Sequence, residues 1–251
     1  MSNSYLIHVD TSSTTTVTPT TGTTTGQPRV SKIAGNPFQC SIILGNRHRR
    51  IRSISLTNAQ IPIGFYNVRA PYNTLTINGT TFTISPGNYS STTLINIINS
   101  TIGNTNGTFA VSQSTAQITY TAQSGSPATT LTVAPLTLLA FLGFTNGQSG
   151  TFIVATNSYI MNFDTYITIW IENLGQSSLE PSQITFKLPL NVNSSGILQW
   201  AELSQYRQVV PVTDRGARLD RLNITVLDRY GNIINNNGLD WSFTLAIEAD
   251  T

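Results

Sequence analysis

Apolar and polar residues alternate one for one along much of this chain, the two-residue period of a strand with one face buried. In TYITIWIENL, residues 165–174, Ile167, Ile169 and Ile171 share one face, and Tyr166, Thr168 and Trp170 the other. ITFKLPL repeats the pattern with Ile184, Phe186 and Leu188, and RLNITVLD with Leu222, Ile224 and Val226. Near the end, Trp241, Phe243, Leu245 and Ile247 line one face opposite Ser242, Thr244 and Glu248. Asn237-Gly238 stands between the last two runs and suits the positive φ of a tight turn, so the chain is expected to finish on a hairpin. Two earlier strands, in PFQCSIILGN and RIRSISLTNAQIPI, are expected to be split by a turn at Gly45-Asn46, and Pro62 closes the second. About eight strands result, the number of a jelly roll.

The period changes between residues 73 and 157. TLTINGTTFTI reads as a hairpin around Asn78-Gly79. In SPGNYSSTTLINIINSTIG the spacing of Leu94, Ile95, Ile98 and Ile102 is helical, with Ser90 or Ser91 as cap and Gly103 as stop. Short strands follow at TFAVSQ, AQITYTAQ and TLTV, then a helical turn in PLTLLAFLGF. This stretch reads as a small α+β insertion of its own. The expected organisation is therefore an arm over 1–35, a single jelly-roll β-sandwich over 36–72 and 158–251, and an insertion over 73–157. The fold class is all-β.

Residues 11–26, TSSTTTVTPTTGTTTG, have no periodic apolar face and read as a flexible arm or long exposed loop. For YLIHVD before them two readings stay open, a strand of the chain's own sheet or a tip that tucks against a neighbour.

Composition sharpens this picture. Only 10% of the 251 residues are charged, and Ser, Thr and Asn stand where Lys and Glu would be. Such a composition favours strands over helices and leaves little charge to keep molecules apart. The net charge of +2 is too small to argue for nucleic acid. Met1 to Asp10 lacks the basic start and apolar run of a signal peptide, so export by that route is not expected. No run of 18 apolar residues suggests a membrane span. The single cysteine, Cys40, precludes an internal disulfide and suits synthesis in a reducing cytosol. Six N-x-[ST] sites match chance in a chain this rich in Ser, Thr and Asn, and do not argue for glycosylation.

Candidate chemistry is sparse. With only His8 and His48, a multi-histidine metal site cannot be built, and neither histidine has an evident carboxylate to orient it in a triad. A Cys40–His48 dyad across a turn competes with plain burial of the cysteine, which is the commoner fate of such a residue. NNNGLD offers calcium-like oxygens between Asp228 and Asp240 but lacks the spacing of a calcium loop. No cofactor or metal is expected. The dense basic stretch GNRHRRIR holds Arg47, Arg49, Arg50 and Arg52, read as a protein contact, a solvated turn or a phosphate grip. Trp170, Trp200 and Tyr206 are further candidates for subunit contact.

Four phrases in order, SLTNAQIPIGFYNV, SPGNYSSTTLINIIN, LLAFLGF and LDRLNITVLDRYGNIINNNGLDWSFTLAIE, resemble the penton, or vertex, proteins of large double-stranded DNA viruses and the related minor capsid proteins of virophages and polinton-like elements. The resemblance covers most of the chain from about Asn36. It implies a single jelly roll, five copies of which cap each icosahedral vertex, ringed by trimers of a double jelly-roll major capsid protein. Minor capsid proteins or fibres would be further partners, and the location would be the virion. It also implies no catalytic residue, and the insertion would stand out from the shell. A second function remains open from the residues alone: a surface spike or carbohydrate-binding jelly roll, with Tyr89, Phe109 or Tyr120 as a sugar platform.

Overall fold

A computed structural model describes the chain apart from residues 1, 13–16, 20–28, 34–35, 163, 173–183, 193–195, 203–207, 213–217 and 251. It divides into two compact units, Met1–Phe65 with Asp164–Thr251, and Tyr66–Phe163.

The first unit opens with β1 (Ser2–Asp10), β2 (Val17–Pro19), β3 (Arg29–Ile33), β4 (Asn36–Arg49) and β5 (Ile51–Pro62). In the second lie β6 (Thr74–Ile77), β7 (Thr80–Thr83), α1 (Ser91–Ile102), β8 (Thr108–Ser112), β9 (Gln117–Thr121), β10 (Thr129–Thr132), α2 (Leu138–Phe141), β11 (Ser149–Gly150) and β12 (Phe152–Val154). The chain returns to the first unit with β13 (Tyr166–Glu172), β14 (Ile184–Pro189), β15 (Ile197–Ala201), β16 (Val209–Pro211), β17 (Arg218–Leu227) and β18 (Ser242–Asp250).

One sheet of the first unit runs β15-β5-β18-β1-β2, with β16 also on β5, and the other β14-β13-β17-β4-β3; every pairing is antiparallel. If β15 and β16 count as one interrupted strand and the short β2 and β3 are set aside, eight principal strands remain. The first pairs with the last (β1·β18), the second with the last but one (β4·β17), the third with β15/β16, and the middle two with each other (β13·β14). That nesting, with the chain stepping between sheets, is the jelly roll. The inward faces merge in one core: Ile7, Ile54, Leu56, Leu245 and Ile247 from one sheet meet Phe38, Ile42, Ile167, Ile169, Phe186 and Ile224 from the other. Each such side chain withdrawn from water stabilises the unit by about 1.5–3 kcal/mol before entropy is counted. Trp241 ties the sheets at one end. Its ring meets Phe38 edge-on at 5.7 Å, and its Nε1 donates to the Pro37 carbonyl at 2.7 Å.

Three expectations are corrected. The arm expected over 1–35 opens with a strand of the chain's own sheet, one of the two readings of YLIHVD, because β1 alternates like the other strands: Ile7 and Val9 are buried while His8 is exposed, and β1 pairs with β18 from Ser2↔Asp250 to Asp10↔Ser242. Most of the Thr-rich stretch lies outside the described residues. Gly45-Asn46 does not turn the chain. β4 runs through it with a bulge, the register passing from Ile43 opposite Arg221 to His48 opposite Leu219, so β4 holds three extra residues there. The reversal comes at Arg50, whose φ is +55°. Finally, β17 and β18 form no hairpin, because they belong to opposite sheets. Asn237 and Gly238 do take positive φ, +51° and +80°, but they turn a crossover between layers.

In the second unit Asn78 and Gly79 form the expected tight turn, with φ of +49° and +79°. Ser90 caps α1 through a reciprocal box with Thr93, and Leu94, Ile95, Ile98 and Ile102 are its buried face. Phe109, Tyr120, Phe144, Leu131, Leu138 and Leu139 are also buried in this unit.

Candidate interface surfaces

The basic stretch sits where β4 leaves one sheet and β5 enters the other. Arg50 and Arg52 are exposed, and the Arg52 Nε lies 3.3 Å from an Asp250 carboxylate oxygen. The turn is braced through its backbone: Asp250 N–H donates to the Arg50 carbonyl at 2.9 Å and Val212 N–H to the Arg52 carbonyl at 2.8 Å. Arg47 and Arg49 lie on β4, and Arg49 stands opposite Arg218 in the ladder. The four arginines thus flank the reversal from β4 to β5, and Arg50 and Arg52 lie next to the end of β18.

Trp170 lies on the outward face of β13, half-buried, in a row with Thr185 of β14 and Thr225 of β17. One rung away Thr168 stands between Lys187 and Leu227, and the Lys187 ammonium sits 3.7 Å over the Tyr166 ring. This face is mostly hydroxyls, amides and hydrocarbon. Trp200 is placed differently: its ring packs against the core beneath β15, while Ile197 and Gln199 take the outward positions of that strand. Alternation alone cannot tell which face of a short strand points inward. Tyr206 lies outside the described residues.

The outer edge of β14 is guarded. The Gln208 side chain accepts from Lys187 N–H at 2.9 Å and donates to its carbonyl at 2.7 Å, as a neighbouring strand would. Two residues on, Pro189 has no N–H to offer.

The candidate chemistry does not assemble. Cys40 is wholly buried, and burial pushes its thiol up to about 12, against a small opposing pull from Lys32. His48 is eight positions further along the same strand, far beyond contact at about 3.3 Å per residue, so the two form no dyad. His8 Nδ1 lies 3.0 Å from the Thr244 hydroxyl. Asp228 accepts from the N–H groups of Tyr230 and Asn232, whereas Asp240 accepts from the Thr11 hydroxyl and pairs with Lys32. The two do not converge, and Asn236 of the intervening loop spends its amide on Gly64 N–H and the Leu239 carbonyl. Two of the three sugar-platform residues are corrected: Phe109 and Tyr120 are in the core of the second unit, and the Tyr120 hydroxyl donates to the Asn106 carbonyl at 2.6 Å, while Tyr89 is half-buried with its hydroxyl donating to the Ser85 carbonyl at 2.9 Å.

Whole-chain composition conceals a sharper feature. From Tyr66 to Phe163 the sequence contains one charged residue, Arg69. Arg69 is buried, its guanidinium donating to the Tyr66 carbonyl at 2.8 Å and lying 5.5 Å from the Tyr72 ring. Counting charge segment by segment would have found this from the sequence.

The first unit is thus an eight-stranded jelly roll interrupted between its third and fourth principal strands by a nearly uncharged second unit. No protein-family model matches the chain, and no curated protein matches it. Among solved structures, the crystal structure of selenomethionine-labelled mavirus penton protein is similar over 86% of this chain and 92% of its own, at 11% sequence identity and a TM-score of 0.43.

Proposed function

We propose that the chain is a structural subunit of a viral capsid, a vertex protein that assembles with copies of itself into a five-membered ring among major capsid protein trimers. The supporting observation is a coincidence of sequence and topology. The four phrases that resemble vertex proteins fall, in order, on β5, on α1 and its cap, on α2, and on β17 to β18, the first and last on strands nested as a jelly roll and the middle two in the second unit. A closed ring needs two different surfaces that complement each other on neighbouring copies. The two outward sheet faces do differ: one carries Trp170, Tyr166 and Lys187, the other His8, Asn58, Gln60 and Glu248. Native mass spectrometry of the purified chain tests the reading. A pentamer is expected, weakened by Trp170→Asp; a strictly monomeric or trimeric species at high concentration overturns it.

A further inference from the structure

Phe152 is 61% exposed and Val154 42%, on the same side of β12, which is an edge strand of the sheet β12-β9-β8. Across the ladder, Phe152 is in a row with Thr121 and Thr108, and Val154 with Thr119 and Ala110. The outward face is therefore uncharged, and four of these six residues are β-branched. The edge is also open in part, at the backbone of Phe152. Ala122 N–H donates to the Thr151 carbonyl and Ala155 N–H to the Ile118 carbonyl, which sets the alternation of the ladder so that the backbone N–H and C=O of Phe152 and Val154 point away from β9. Gln148 reaches the Val154 carbonyl at 2.8 Å.

Edge strands are commonly blunted by charge or proline. β14 in this same chain has both, in Lys187 and Pro189, whereas β12 reads Phe-Ile-Val. A charged partner docking here would lose hydration and gain no counter-charge, a cost of several kcal/mol per ion. The matching occupant is an equally uncharged surface, and this chain supplies one. We propose that β12, with the outward face it shares with β9, makes a contact with the same unit of a second copy of the chain. The three-strand face covers roughly 250 Å² from strand spacing and rise, well under the ~800 Å² per partner of a stable interface. The contact is therefore weak singly and gains strength where copies are already clustered. It goes beyond the ring reading and does not require it.

Sedimentation velocity of the full chain over a wide concentration range, at low and high salt, tests the proposal. The wild type should associate beyond its base species, whether monomer or ring, and high salt should not weaken that association, since no charges are screened. Phe152→Asp, at an exposed position, should cut it by about tenfold or more, and Thr121→Asp, also exposed, should do the same if the first variant folds poorly. An equimolar mixture of Phe152→Asp and Phe152→Lys should recover association at low salt only. Absence of association beyond the base species, or association untouched in both Asp variants, overturns the proposal. So does binding of neutral oligosaccharides that depends on Phe152 without self-association, which would give the face to a glycan. The base species itself, read in the same runs, reports separately on the ring.

Discussion

At the scale of single residues, the high Asn content is largely backbone chemistry. Asn67 accepts from Tyr89 N–H and donates to the Tyr89 carbonyl, and Asn99 does the same for Phe109. Asn36 joins Phe38 N–H to the Ile234 carbonyl. These amides satisfy backbone groups that would cost about 1–3 kcal/mol each if buried unpaired. Cys40 shows the opposite use of a polar atom, as packing. Its folded-state value is raised from 9.0 to about 12 by burial, so the neutral thiol is the form the fold favours. The linkage sign follows: its stabilisation is fully present below the unfolded value near 9 and is lost as pH rises toward 12. Urea titrations of wild type and Cys40→Ala should therefore show the wild-type advantage shrinking over that window. The native thiol should also resist a disulfide reagent at pH 8 until the chain unfolds. An advantage that is constant across that pH range would contradict the burial argument.

At the scale of elements, the Gln208 bridge makes a separable prediction. Gln208→Ala removes both partners of Lys187 at the edge of β14, at a cost of about 1–2 kcal/mol for two exposed hydrogen bonds. Hydrogen exchange at the Lys187 amide should quicken far more than at Ile169, which lies on the interior strand β13. Strand existence was legible from alternation, and so was α1 with its cap, because burial and capping act within a few residues. Pairing was not. Asn237-Gly238 is a turn by local chemistry whether its flanking strands share a sheet or cross between two, and only the nested order of the whole body decides. β1 was half-legible for the same reason: YLIHVD has the alternation, but its partner β18 lies at the other end of the sequence. The exposure of Arg50 and Arg52 was readable because charge keeps them at the surface, and the outward placement of Trp170 because three buried isoleucines fix which face of β13 points outward. The orientation of Trp200 depended on which side of β15 the core lies.

At the scale of the molecule, charge is partitioned: the jelly roll carries all the acids and all the bases except Arg69, while the second unit is held by apolar contacts and amide-to-backbone bonds. The two units should therefore respond differently to solution conditions. Each has its own core, Phe38 and Leu245 in the first and Phe109 and Leu94 in the second, which is the structural basis for separate cooperative transitions. Calorimetry of the full chain is expected to resolve two transitions, of which only the jelly-roll transition moves appreciably with salt and pH, because ion pairs such as Lys32–Asp240 lie there. Asn99→Asp keeps the shape of the side chain but sets a carboxylate oxygen against the Phe109 carbonyl, and should lower only the second unit's Tm. Leu245→Ala should lower only the first unit's Tm, since truncating a buried leucine costs roughly 2–5 kcal/mol of stability. A single transition displaced by both substitutions would mean that the units unfold together, and that the uncharged unit draws its stability from the jelly roll and not from its own interior.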